Sequence, residues 1–384
     1  MPYSFVFYSN IAQSPWGGSE ELWSQAAIRL HKMGHRVSAS VKGWSPRHPR
    51  IQQLVEAGVQ MQERWPASLT ARVLRKAGLL VRTDADFCLQ HNPDLVLISH
   101  GSHIPEVALC DDLRRKGQRH ALLFQMATEI YWPADDLLGE LERALHGAQA
   151  NFFVARKNAE LVERQLGSAV PHCEYIWNPT QPMANPARVV PRRPVMRSED
   201  AAWSIACVAR LDTLAKGHDV LFEVLRQSRW RARNLHVSLY GTGQWEQGLR
   251  RLAKYWNISQ VSFRGHTEDI QSVWEEHDAI ILPSRYEGTP LALIEAMLCG
   301  RPAIVTNVGG NAELIEEGKT GFVAGSCSLE NLDAAMERAW QKRDCWSEMG
   351  VEASETIRSM MPADPVEEFV RRLLQLARPP DGNA

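Results

Sequence analysis

Residues 281–323 read ILPSRYEGTPLALIEAMLCGRPAIVTNVGGNAELIEEGKTGFV, and this stretch decides the fold. An apolar strand through Ile280, Ile281 and Leu282 runs into a loop offering a carboxylate (Glu287), a glycine (Gly288) and a proline (Pro290). A helix follows, and proline suits its first turn because the N–H it lacks would have no partner there. The unpaired N–H groups of a helix start, with the positive end of its dipole, suit a phosphate. A second carboxylate, Glu295, falls further along the helix among Leu291, Leu293, Ile294, Ala296 and Met297. A strand ending on a phosphate-ready helix between two acids meets the needs of a nucleotide-sugar site. The backbone from Gly288 through Thr289 and Pro290 to Leu291 takes the diphosphate, and the acids take hydroxyls of sugar and ribose.

Two glutamates eight positions apart are common on any acidic helix, so the spacing alone says little. Here Glu287-x7-Glu295 is set within S-x-x-E-G-x-P-L-x-x-x-E-A-M-x-x-G-x-P, with Val308-Gly309-Gly310 and Gly318-x-x-Gly321-Phe322 following. That whole pattern resembles the family-4 (group 1) retaining glycosyltransferases. The resemblance implies a GT-B fold, an α/β architecture of two Rossmann-like domains facing a cleft. It also implies a nucleotide-diphosphate sugar as donor substrate, with no cofactor and no metal.

Composition is compatible with that reading. The chain has 384 residues, long enough for two cores, with 44% hydrophobic and 23% charged residues. A net charge of −2 gives no electrostatic reason to expect nucleic acid as a partner. No apolar run approaches the roughly 18–20 residues that span a bilayer. The opening MPYSFVFYSN lacks the basic and long apolar regions of a signal peptide and reads as a first strand. Seven scattered cysteines with no CxxC pair point to reduced thiols in a cytoplasmic protein. Of the thirteen tryptophans, Trp16, Trp44, Trp65, Trp132 and Trp177 stand in loop-like contexts. Their flat faces suit packing and also suit sugars or lipids.

From Ala202 onward apolar runs alternate with helical patterns. Strands are expected at 203–209, 235–240, 260–264, 278–282, 302–306 and 321–323, with helices near 217–227, 245–255, 268–276, 290–299 and 310–317. Continuous apolar strands joined by helical crossovers indicate a parallel sheet covered on both faces. Such sheets bind ligands at their carboxyl ends. The first half repeats the logic, with strands at 3–8, 36–41, 94–99, 120–125, 150–154 and 173–177, and a helix from Ser19 to about Met33 closed by Gly34. The domains are therefore drawn as 1–182 on the acceptor side and 202–361 on the nucleotide-sugar side. The proline- and charge-rich 183–201 is the linker. By resemblance, the C-terminal helix in 362–384 crosses back to the first domain.

Arg210 and Lys216 follow the first strand of the second domain, and two cations on one strand-to-helix loop can meet one diphosphate. They resemble the R-x5-K-G element that binds the donor diphosphate in the family. Gly17-Gly18 ends the first loop of the first domain; Ser19 is a candidate N-cap with Glu20 and Glu21 in the first turn. The family places this glycine pair over the donor phosphates. Gly241 opens a glycine turn after the next strand, and Arg264 falls at the nucleobase edge of such sites. Relatives carry a donor-contacting histidine where this chain has Gln125, which leaves His100 or His103, at the end of the preceding strand, as stand-ins. Asp84-x-Asp86 mimics a metal-binding DxD but lies outside any glycine-rich loop, and no His/Cys cluster has zinc spacing. The segment 64–82 holds five cations and no acid among apolar residues. It fits a helix on an anionic membrane surface, a clamp for an anionic acceptor, or a solvated helix whose apolar side is core.

The expected function is retaining, metal-independent transfer of a hexosyl-type unit from a nucleotide-diphosphate sugar to an acceptor hydroxyl, in bacterial polysaccharide, lipopolysaccharide or glycolipid assembly. The acceptor would be a carbohydrate or a lipid-linked molecule, and the protein cytoplasmic or peripheral on the inner membrane. Arg210, Lys216, Glu287 and His100 are the catalytic candidates. The donor would be held by these cations with Gly17, Gly18, Gly241, Arg264, Glu295 and the residues from Gly288 to Leu291. A sugar-nucleotide epimerase of the same fold, or a non-catalytic nucleotide-sugar-binding protein, are the alternatives.

Overall fold

A computed structural model describes residues 2–11, 14–65, 84–90, 92–102, 104–180 and 201–378. The linker and nearly all of the basic segment 64–82 lie outside these residues, as does His103. The chain forms two folding units. One takes the chain up to Pro179 and again from Asp364; the other is Thr180–Ala363.

The strands of the first unit are β1 (Ser4–Ser9), β2 (Arg36–Lys42), β3 (Gln60–Arg64), β4 (Leu95–His100), β5 (His120–Phe124), β6 (Asn151–Phe153) and β7 (Cys173–Tyr175). They pair in parallel in the order β3-β2-β1-β4-β5-β6-β7. Residues of β1, β4 and β5 are buried throughout, as strands covered on both faces must be. Edge strand β3 (QMQER) is mostly polar and only partly buried, so no apolar run announced it. The covering helices are α1 (Glu21–Lys32), α2 (Pro49–Glu56), α3 (Asp84–Leu89), α4 (Val107–Arg115), α5 (Asp135–Gly147) and α6 (Arg156–Leu166). One face of the sheet packs Phe5, Phe7, Trp23 and Phe152 against Val366, Phe369, Val370 and Leu373 of the final helix, Pro365–Ala377. Asp364 caps that helix by accepting from the Glu367 N–H at 2.9 Å, and Pro365 occupies its first position. Arg29 of α1 binds Asp364 at 2.6 Å, and Arg372 binds Glu174 of β7 at 2.6 Å.

The second unit contains β8 (Trp203–Val208), β9 (Leu235–Tyr240), β10 (Val261–Gly265), β11 (Ala279–Leu282), β12 (Ala303–Thr306) and β13 (Gly321–Ala324). All pair in parallel in the order β10-β9-β8-β11-β12-β13. Its helices are α7 (Thr213–Lys216), α8 (His218–Leu225), α9 (Ser228–Arg231), α10 (Glu246–Tyr255), α11 (Ile270–Glu276), α12 (Leu291–Leu298), α13 (Leu329–Gln341) and α14 (Trp346–Met360). Phe222, Trp230, Leu239, Ile281, Phe322 and Trp346 share its core.

Both sheets reverse their order of travel beside the first strand, between β1 and β4 and between β8 and β11. Loops leaving those strands must diverge to opposite faces, which opens a ligand crevice at the carboxyl edge.

The expected helix at 310–317 does not form. Gly310 commits its N–H to Gly288 O at 2.7 Å, and single turns follow, such as Asn311 N–H to Val308 O at 3.1 Å. Nor is Ser19 an N-cap. The chain enters α1 through a 3-10 turn, Gly18–Glu20, preceded by Gly17 with no side-chain cap. Pro290 likewise stands just before α12, with extended ψ of 124°, and not within its first turn.

Candidate active site

The loops after β8 and β11 carry the predicted donor residues and bring two of them into contact. Asp212 opens the first loop by accepting from the Ala215 N–H at 3.2 Å, which starts α7 and places Lys216 at its end. Lys216 Nζ then donates to Glu287 Oε1 at 2.5 Å. The pair is nearly enclosed, with side chains 16% and 8% exposed. Ser284 Oγ donates to the same oxygen at 2.7 Å, and Thr306 Oγ1 holds Ser284 by donating to its carbonyl at 2.6 Å. Glu287 Oε2 has no hydrogen-bond partner among the described residues. A lysine carries three donors, so two remain for something else.

The backbone beyond Glu287 is shaped by its neighbours. Gly309, at φ +48°, belongs to the loop after β12; a Cβ there would lie 2.3 Å from Glu287 O and 2.5 Å from Gly288 O. Only glycine allows that approach. Thr289 is buried. The N–H groups of Leu291 and Ala292 at the start of α12 have no backbone partner among the described residues, whereas Leu293 N–H turns back to Pro290 O at 3.1 Å. Glu295 is 7% exposed, so it does not face open water.

Arg210 is exposed and has no side-chain partner among the described residues. Its loop is supported by the turn after β9. There Gly241, at φ +138°, lies so near Ala209 O that a Cβ would meet it at 2.1 Å, and Leu211 N–H binds Thr242 O at 3.0 Å. Gly241 therefore shapes the loop that bears Arg210. Arg264 is exposed at the end of β10.

In the first unit His100 ends β4 at the switch point and is fully buried, stacked on Phe124 with ring centroids 5.4 Å apart. Asn10 Oδ1 accepts from the Gly101 N–H at 3.0 Å, which turns Asn10 Nδ2 toward His100 Nδ1 at 3.2 Å. Nδ1 is thus the acceptor and Nε2 bears the proton, with no partner of its own among the described residues. Burial lowers the His100 pKa to about 3, so the ring is neutral. Sealed in this way, it reaches no ligand in this conformation. Gln125 forms a buried amide pair with Asn178, 2.8 Å from Asn178 Nδ2 to Gln125 Oε1.

A Cβ on Gly17 would meet Ile11 at only 3.5 Å, an ordinary contact, and its φ of −158° is open to any residue. The fold does not require glycine there. Nearby is a buried acid that the sequence placed only in the first turn of the helix. Glu20 is 2% exposed, and burial pushes its carboxyl up to about 7 against the opposing pull of the Ser9 and Ser19 hydroxyls and Arg64. Asp84 accepts from Tyr8 Oη at 2.8 Å at the start of α3. Among the described residues no cluster of His, Cys, Asp or Glu is arranged to hold a metal, and no helix is long and apolar enough to cross a membrane.

Residues 203–342 match the family Glycosyl transferases group 1. An uncharacterized glycosyltransferase of Haemophilus influenzae is 30% identical over 152 residues, 39% of this chain and 42% of that protein. A putative colanic acid biosynthesis glycosyltransferase, WcaL of Salmonella typhimurium, is 32% identical over 139 residues, 34% of each chain. The chain thus spans about two fifths or less of the length of these curated relatives. Over the whole chain, the crystal structure of a glycosyltransferase from Rickettsia africae superposes with a TM-score of 0.72 at 17% identity, covering 98% of both chains. That of Anabaena HepE in complex with UDP does so with a TM-score of 0.68 at 15% identity, covering 97% of this chain and 99% of that one. The chain accordingly has the GT-B fold, and its residues 203–342 are similar to the group 1 glycosyltransferases.

Proposed function

We propose that the protein transfers a glycosyl unit from a nucleotide-diphosphate sugar to an acceptor hydroxyl, with retention of configuration and without a metal. The observation that carries this is the enclosed Lys216–Glu287 pair at the switch point of the second sheet, with Arg210 exposed on the same loop as Lys216. Negative charge grows on the departing diphosphate during transfer. Arg210, the two spare donors of Lys216 and the N–H groups of Leu291 and Ala292 are pre-placed charges and dipoles for it. The open Oε2 of Glu287 takes a sugar hydroxyl, and Glu295 the ribose diol. The leaving phosphate oxygen accepts the acceptor proton on the face it departs from, so no side-chain base is needed and a sealed His100 is no obstacle. A relative named as a putative colanic acid biosynthesis glycosyltransferase and UDP bound in a structural neighbour support a polysaccharide acceptor and a nucleotide donor.

The experiment is calorimetry with UDP-, GDP- and ADP-sugars followed by product analysis. One nucleotide sugar should bind at micromolar concentration and yield an axial or equatorial bond matching that of the donor. Inverted product would overturn retention, and binding unaffected by a chelator supports metal independence. Flotation with anionic vesicles at low salt tests a membrane-facing acceptor.

A further inference from the structure

Lys216 and Glu287 lie 71 residues apart in sequence, on loops from different strands, and they meet only if those loops are fixed to each other. Arg285, two residues before Glu287, makes that connection. Its backbone N–H donates to Ala215 O at 2.7 Å. Its guanidinium donates to Thr213 O at 2.5 Å and forms a two-pronged bond to Asp219, Nη1 to Oδ1 at 2.8 Å and Nη2 to Oδ2 at 2.7 Å. Thr213 precedes Lys216 and Asp219 follows it, on α8. One side chain therefore spans the segment that carries the lysine. A planar fork matched to a carboxylate fixes direction as well as distance, which a lysine at this position cannot do. The pair is 30% and 36% exposed and touches neither Lys216 nor Glu287 directly.

We infer that Arg285 and Asp219 are positioning residues that hold Lys216 against Glu287 and so set the geometry of the diphosphate site. This rests on the donor-site reading given above, and two readouts keep the two ideas apart.

The first readout needs no nucleotide. Lys216 in the full-length protein is acetylated with limiting acetic anhydride and its modification quantified by mass spectrometry. Arg285→Ala and Asp219→Asn should raise Lys216 labelling at least threefold while lysines elsewhere keep their rates; unchanged labelling overturns the proposal. The second is calorimetric affinity for UDP and GDP. Arg285→Ala should weaken the nucleotide that binds by about tenfold, and by less than twofold when Lys216 is already alanine, because Arg285 acts through Lys216. Additive losses overturn the proposal. Should the wild type bind neither nucleotide, the donor reading fails and the labelling arm still decides the positioning role. Should Arg285→Ala not fold, Arg285→Lys keeps the charge without the fork and is judged by the same labelling threshold. The exchange Arg285→Asp with Asp219→Arg should return labelling toward the wild-type rate, and failure to do so counts against the pair.

Discussion

Lys216 Nζ and Glu287 Oε1 stand 2.5 Å apart in a setting that leaves both side chains nearly enclosed. The site therefore holds its own counter-ion before any ligand arrives. Breaking such a pair by removing one partner leaves a charge buried and unpaired, which costs roughly 3–5 kcal/mol. Lys216→Ala should thus lower both stability, by about 3 kcal/mol, and affinity for the nucleotide donor, by at least tenfold. Urea unfolding and calorimetry on the same preparation measure the two. A variant as stable as wild type would mean that Ser284 alone satisfies Glu287.

The two glutamates should separate in kinetics. Glu287→Gln removes an oxygen assigned to the transferring sugar and should depress turnover more than affinity for the free nucleoside diphosphate. Glu295→Gln should weaken donor and nucleoside diphosphate alike, as uniform binding does. Nucleoside diphosphate affinity intact in Glu295→Gln would remove it from the ribose.

Glu20 gives the first unit a pH dependence of stability. Its folded pKa of about 7 lies above the ordinary 4.5, so the folded state holds a proton that the unfolded state releases. Stability must then fall as pH rises from the unfolded value to about 7, by roughly 3 kcal/mol in all for a shift of this size. Glu20→Gln keeps the shape and has no proton to lose. Its urea midpoint should exceed that of wild type at pH 8 and converge with it at pH 4.5. Parallel curves across that range would show that Glu20 is not what titrates.

Phe369, edge-on to Phe152 at 5.3 Å, anchors the final helix in the first core. Phe369→Ala should cost about 3–5 kcal/mol. Hydrogen exchange should show the loss in β1, β4 and β6 while β8 and β11 keep their protection. Equal loss in both sheets would contradict the division into units.

The parallel strands were legible because a strand buried on both faces is a continuous apolar run, as in Leu95–Ile98 and Ala279–Leu282. Strand β3 was not, since an edge strand need not be apolar. Residues 310–317 have the apolar pair Leu314 and Ile315 in a helical-looking pattern, but the hydrogen bond from Gly310 N–H to Gly288 O overrides it, and local periodicity carries no information about a partner 22 residues away. Lys216 and Glu287 could each be named from their surroundings, while their contact depends on Arg285 and Asp219, which no spacing rule couples. His100 looked available at a strand end; its burial against Phe124 is a property of packing.

The last segment of the chain also sets an order of assembly. On a ribosome the amino-terminal strands emerge first, yet their sheet lacks Val366, Phe369 and Leu373 on one side until those residues have been made. At synthesis rates on the order of 5–20 residues per second, the opening half waits roughly 10–40 s with an apolar face uncovered. The second-emerging unit has no such debt and can fold at once. A nascent chain stalled before Asp364 should therefore bind chaperones through its older half.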